Sequence, residues 1–155
     1  MERLIRGTVG VVDLNHYNEY ARKHGDSECL DLLQKFYYKT GNAVLQSGGE
    51  IIGYAGDALI FFIHAGGSVD AHVQALKKVC TRKYAAHIGL ATGEMLYSRI
   101  GHPSKTRSAV SGGKVREAFI LCNEAGLLPE GIVMDMETQQ RIEQETQQIE
   151  QEKVA

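Results

Sequence analysis

The order of apolar and turn-forming segments predicts an α+β fold, a ferredoxin-like sheet with elements ordered βααββαββαβ and helices packed on one face. Three observations carry this expectation. Two strand pairs each fold about a tight glycine turn, at Gly56-Asp57 and at Thr92-Gly93. Helical spacing of apolar residues falls before and after these pairs, not between single strands as in a parallel βαβ chain. Neither an internal repeat nor a linker interrupts the 155 residues. The organisation expected is one domain, residues 1–136, followed by a polar helical tail, residues 137–155.

Leu4 to Leu14 is apolar and β-branched in its second half and closes on Asp13, which reads as a central strand with its acid at one end. Asn15 to His24 is polar and aromatic, and Gly25-Asp26 is a turn. Ser27 is the expected N-cap of a helix carrying Leu30, Leu33, Phe36, Tyr37 and Val44, which Gly48-Gly49 ends. Glu50 to Tyr54 and Ala58 to His64 form the first hairpin. Gly66-Gly67-Ser68 opens a helix striped by Val69, Val73, Leu76 and Val79. Tyr84 to Leu90 and Glu94 to Ile100 are expected to pair around Thr92-Gly93, and Gly101 to Arg107 to form a loop. Val115 to Ala125 is helical, with Val115, Ala118, Phe119 and Cys122 inward, and Ile132 to Met136 is a last short strand. The remainder is rich in glutamine and glutamate. Ile142 and Ile149, seven residues apart, are too few for a coiled coil, so a solvated terminal helix is expected.

Composition excludes several classes. A formal net charge of −2 gives no electrostatic footprint for nucleic acid or an anionic membrane. No apolar run has the length to span a bilayer, and the first residues lack a signal-peptide core. Cys29, Cys80 and Cys122 are too few and too scattered for a disulfide framework or a zinc site, which predicts a reducing, cytoplasmic setting. The six histidines show no pair at metal-ligand spacing, and no Cys/His catalytic arrangement is indicated. Tyr37-Tyr38 and Phe61-Phe62 read as core or dimer surface.

Asp13 and Asp57 stand apart because each sits where a strand ends or turns. If the first strand pairs with the first hairpin, both carboxylates project from one edge. That is an oxygen site suited to hard divalent cations; simple turn-forming aspartates are the alternative. Val11-Val12-Asp13-Leu14-Asn15-His16-Tyr17-Asn18 is similar to the first metal motif of class III adenylate and guanylate cyclases. Gly48 to Ala58 is similar to the second, and His87 to Glu94 with Ile100-Gly101 resembles the family's strand pair. Val110 to Ala118 resembles the start of its substrate-facing helix. The match runs in order from about Thr8 to Thr138.

The resemblance implies conversion of a nucleoside triphosphate to a 3′,5′-cyclic nucleotide and pyrophosphate, with two divalent cations, Mg²⁺ or Mn²⁺. It implies that Asp13 and Asp57 hold the metals, with the Leu14 carbonyl as a further ligand. It places the backbone amides of His16, Tyr17 and Asn18 on the phosphates, where His16 stands for the family's usual glycine. His87 stands where many members have an arginine near the phosphates. The implied partner is a second domain, in a head-to-tail homodimer or a heterodimer with another cyclase-like chain.

Departures from the family pattern bear on activity. Gly53 and Ala109 replace the base-reading side chains. Arg116 aligns with the ribose-orienting asparagine and Ile120 with the transition-state arginine, so Arg116 is the one candidate catalytic cation left on that helix. Lys114 after Gly112-Gly113 lacks the rest of a phosphate loop. The family's closing hairpin, with its phosphate-binding lysine, is absent. Three functions are therefore open: a weak or partner-dependent cyclase, a catalytically silent nucleotide-binding or dimerising regulatory domain, or a binding module in which the two aspartates are incidental.

Overall fold

The middle strand of the sheet is β1 (Arg3–Leu14), and everything that positions the acid pair hangs on its two neighbours. The computed structural model describes residues 2–154. After β1 come α1 (Tyr17–Lys23), α2 (Asp26–Gln46), β2 (Glu50–Ala55), β3 (Ala58–His64) and α3 (Val69–Val79). A 3₁₀ turn at Arg82–Tyr84 leads to β4 (Ala86–His102), β5 (Lys105–Ser111), α4 (Gly113–Ala125), β6 (Ile132–Met134) and α5 (Met136–Val154). The sheet runs β2-β3-β1-β4-β5, all antiparallel, and β6 adds in parallel to the other end of the same β4 edge.

The α+β class and the order of elements match the expectation, but four details differ. No turn forms at Thr92-Gly93: β4 runs unbroken through it because β1 pairs with it from Arg3↔Tyr97 to Leu14↔Ala86. Gly93 serves close packing instead, since a Cβ there would stand 2.9 Å from Lys114 Cε. The second hairpin lies further on, where the expected loop is paired as His102↔Lys105 through Leu96↔Ser111. Ser27 is not the N-cap of α2; the helix begins at Asp26 with Gly25 in that place and no side-chain cap.

The third detail is the layering. Along β1, Val12 and Leu14 face a core shared with Leu32 and Phe36 of α2 and Val73 and Leu76 of α3. Val9 and Val11, of the opposite parity, face Ala118 and Cys122 of α4. One face therefore carries α2 and α3 as expected, and α4 covers the other. It packs so closely on Gly89 that any Cβ there would collide with the α4 backbone at Ala118 and Cys122. Phe61 and Phe62, on opposite parities of β3, are fully buried, one in each core.

The fourth is α5, whose first half is docked and not merely solvated. Arg141 donates to Thr8 Oγ1 and to the carbonyls of His64 and Gly67. Glu145 accepts from Ser68 Oγ and from the Val69 and Asp70 amides, so it caps α3 from outside. Ile142 packs on the core, whereas Ile149 is exposed. Beneath the helix, the hydroxyls of Thr8, Thr92 and Thr138 form a buried chain with contacts of 2.6 and 2.7 Å, and Thr138 Oγ1 donates to Asp135.

Candidate metal centre

Sheet register assembles the site. Asp13 lies opposite Ala58 on one side and His87 on the other. Asp57 precedes Ala58 in the β2–β3 turn, where Gly56 adopts a left-handed φ of 62°. Leu14 N–H donates to the Asp57 carbonyl at 3.2 Å, so the end of β1 is tied to that turn. Tyr37 of α2 donates its hydroxyl to the Gly56 carbonyl and braces it from behind. Burial, then the charge of Asp57, pushes the Tyr37 phenol up to about 12, so it stays a donor.

The two carboxylates meet. Asp57 is pushed up from 3.8 to about 6, first by burial, then by the charge of Asp13 and a hydrogen bond with it. Asp13 Oδ1 is buried with no hydrogen-bond partner among the described residues. An oxygen pair that is crowded, partly desolvated and incompletely partnered fits a divalent cation, which supplies the positive charge that the pair lacks.

His87 flanks the pair. Its Nε2 stands 3.5 Å from Asp13 Oδ2, and its Nδ1–H donates to Asn15 Oδ1 at 2.5 Å. Cys122 of α4 donates its thiol to the His87 carbonyl at 3.5 Å, and burial, then Asp13, pushes that thiol up to about 12. Ligand atoms of Asp13, His87 and Cys122 lie within 4.8 Å of one another. Sequence spacing concealed this group, because its three members are scattered over β1, β4 and α4.

His16 is the N-cap of α1 in the left-handed region, φ 58° and ψ 26°. The position asks for positive φ, which explains why glycine suits it, and histidine is among the residues that tolerate it. Tyr17 and Asn18 begin α1 with amides that have no preceding helical turn to accept them.

No ion pair or hydrogen bond joins Arg116 to Asp13 or Asp57 among the described residues. Arg116 lies with Ile120 on the exposed side of α4, one turn apart, and no carboxylate pairs with it among the described residues. Lys114 is engaged by Asp135, Glu117 and Glu137 at 3.0, 3.1 and 3.7 Å and is unavailable as a phosphate loop lysine.

Arg107 is the residue whose place the sequence concealed. It lies on β5, at the far edge of the sheet order from β2, yet a Cβ on Gly53 would stand 2.9 Å from its Nη1. The guanidinium therefore covers the space that a side chain at position 53 would enter. Ala109, two residues along β5, is buried.

No protein-family model and no curated protein matches the chain. Solved structures do. A bacterial light-regulated adenylyl cyclase superposes with a TM-score of 0.82 over 90% of this chain, at 15% identity; the chain spans 45% of that protein's length. The adenylyl cyclase CyaB from P. aeruginosa gives 0.76 at 18% identity, covering 93% of this chain and 83% of that one. A class III adenylyl cyclase-like ATP-binding protein from Pseudomonas aeruginosa gives 0.71 at 12% identity, with coverage of 91% and 35%. A guanylate cyclase domain in complex with GTP and a dimeric guanylyl cyclase domain have the same fold, at 16% and 15% identity. The chain has the fold of class III adenylyl and guanylyl cyclase catalytic domains. No helix among the described residues is long and apolar enough to cross a membrane.

Proposed function

We propose that this chain is a class III nucleotidyl cyclase-like domain that binds a nucleoside triphosphate through divalent cations and cyclises it weakly, or only when a partner domain completes the site. The observation that carries the reading is the acid pair. Two carboxylates forced together, one raised to about 6 and the other with a buried orphan oxygen, are unfavourable without a cation between them.

Asp13 and Asp57 would hold two Mg²⁺ or Mn²⁺ ions, with the Leu14 carbonyl as a further ligand. Such ions lower the pKa of a bound hydroxyl and screen phosphate charge. The amides of His16, Tyr17 and Asn18 receive the phosphate oxygens. His87 is held beside Asp13 by Asn15 and would face the phosphates from there. Tyr37 keeps the Asp57 turn in place. Arg116 is exposed on α4 and pairs with no carboxylate among the described residues, so a catalytic role for it would be exercised on a second domain facing α4. Exposed Ile120 beside it, and exposed Leu4, Leu96 and Ile100 on the strands, are apolar surface of the kind that a homodimer or heterodimer buries.

A second reading, a catalytically silent nucleotide-binding or dimerising regulatory domain, is favoured by Ile120. An exposed aliphatic side chain there supplies no charge to a developing phosphoryl group, and losing one such donor costs about 2.7–4 kcal/mol of barrier.

Incubation with each of the four ribonucleoside triphosphates and Mn²⁺ or Mg²⁺ separates the readings. Cyclic nucleotide and pyrophosphate above an Asp57→Asn control support the cyclase. Cation-dependent nucleotide binding without product supports the silent domain. Neither product nor cation-dependent binding would sink both.

A further inference from the structure

Cys122 plays no part in that chemistry, yet it stands in the wall of the same site. Its Sγ, a His87 ring nitrogen and an Asp13 carboxylate oxygen lie within 4.8 Å of one another. Thiol, imidazole and carboxylate together are not a donor set for Mg²⁺, which takes oxygen; they suit zinc-class ions, which favour sulfur and nitrogen. The His87 ring is already set for such a role. Its Nδ1–H donates to Asn15 Oδ1 at 2.5 Å, which aims Nε2 at Asp13 Oδ2, 3.5 Å away. Metal-bound histidines carry an outer hydrogen bond of this kind, which fixes the ring and raises its basicity. Asp13 Oδ1, buried and unpartnered, is the second indication that a ligand belongs here.

We propose that Asp13, His87 and Cys122 form a binding site for a thiophilic divalent cation of the zinc class, with the fourth position left to water or Asp57. On binding, the Cys122 S–H bond breaks, a metal–sulfur bond forms, and one proton passes to solvent; no group is oxidised. A metal deprotonates a coordinating thiol outright, so the raised thiol value makes binding pH-dependent without preventing it. Because Asp13 belongs to both sets, a zinc-class ion displaces Mg²⁺ or Mn²⁺ and silences the site. That consequence, unlike the site itself, rests on the proposed function.

Cobalt(II) serves as a spectroscopic probe on the full chain, reduced and metal-free. The expected result is one Co²⁺ per chain, with a near-ultraviolet thiolate-to-cobalt absorption that Zn²⁺ abolishes. Cys122→Ser removes the band and weakens Zn²⁺ binding at least about 100-fold, while Asn15→Ala weakens it about 10–100-fold. Cys29→Ser and Cys80→Ser leave both unchanged. A band that survives Cys122→Ser, or that disappears with Cys29→Ser or Cys80→Ser, overturns the assignment. If circular dichroism shows Cys122→Ser unfolded, His87→Gln decides, and an unchanged Zn²⁺ affinity there refutes the site. Mn²⁺-dependent nucleotide binding is measured in parallel. Its absence beside an intact cobalt band sinks the proposed function and leaves the zinc site standing; the reverse pattern removes the zinc site alone.

Discussion

Replacing Asp57 by asparagine removes one charge from the acid pair while keeping its size and its turn-forming backbone. The wild-type carboxyl is raised from 3.8 to about 6 by burial and by Asp13. A raised carboxyl contributes stability that is fully present below the unfolded value and is lost as pH rises through about 6. Above that, the ionised group works against the fold. The displacement corresponds to ~3 kcal/mol, and halving it for solvent screening of a partly exposed pair leaves about 1.5 kcal/mol. Metal-free Asp57→Asn is therefore expected to be more stable than wild type by about 1–2 kcal/mol at pH 7.5, and equal to it near pH 4. Urea denaturation across that pH range, with chelator present, measures the difference. Saturating Mn²⁺ should reverse the order, since ligand at 100 times Kd stabilises the wild type by about 2.7 kcal/mol and the variant much less. A variant equally destabilised at pH 5 and pH 8 would refute the reasoning, because Asp57 would then be acting as a hydrogen-bond acceptor and not as a repelled charge.

Two glycines of β4 separate packing from turn formation. Gly89→Ala drives a methyl into the α4 backbone and is expected to cost about 3 kcal/mol or more in chemical denaturation. Gly93→Ala meets only the flexible Lys114 stem and is expected to cost about 1 kcal/mol; equal costs would contradict the observed packing. Glu145→Ala uncaps α3 from outside and should lower stability by about 1–2 kcal/mol, with faster amide exchange at Val69 and Asp70. Unchanged exchange there would mean that Glu145 does not cap the helix.

Much of the architecture was legible because it rests on local pattern. The apolar stripe of α3, its Ser68 cap and the β2–β3 hairpin are set by neighbours in sequence. Asp13 and Asp57 were legible as a pair for the same reason, each marking the end of an apolar strand. Thr92-Gly93 misled because the β4 glycine answers to a lysine on α4, 21 residues later by number, and not to a local turn. Ser27 misled because Gly25, with an extended backbone, already fills the N-cap position of α2. Cys122 and Arg107 carried no signal at all. Their partners, Asp13 and Gly53, are reached only through the sheet register and its curl. The scattered cysteines gave no hint of the group formed with Asp13 and His87, because a single cysteine joins it and the imidazole and carboxylate come from other strands.

The three buried threonines admit a single donor direction. Asp135 is held ionised, since the bonds from Thr138 and Lys114 outweigh the burial that would raise it. Thr138 must then give its proton to Asp135, Thr92 to Thr138 and Thr8 to Thr92, while Thr8 accepts from Arg141. A cation at one end and an anion at the other thus fix the polarity of every hydroxyl between them. The sheet is fastened at this end by a filament in which each link has both a donor and an acceptor. Five residues along β1, roughly 16 Å away at the rise of a strand, Asp13 carries the opposite condition. One strand is thereby moored where its bonds are complete and loaded where they are not, so an energetically costly half-site can persist in a stable sheet.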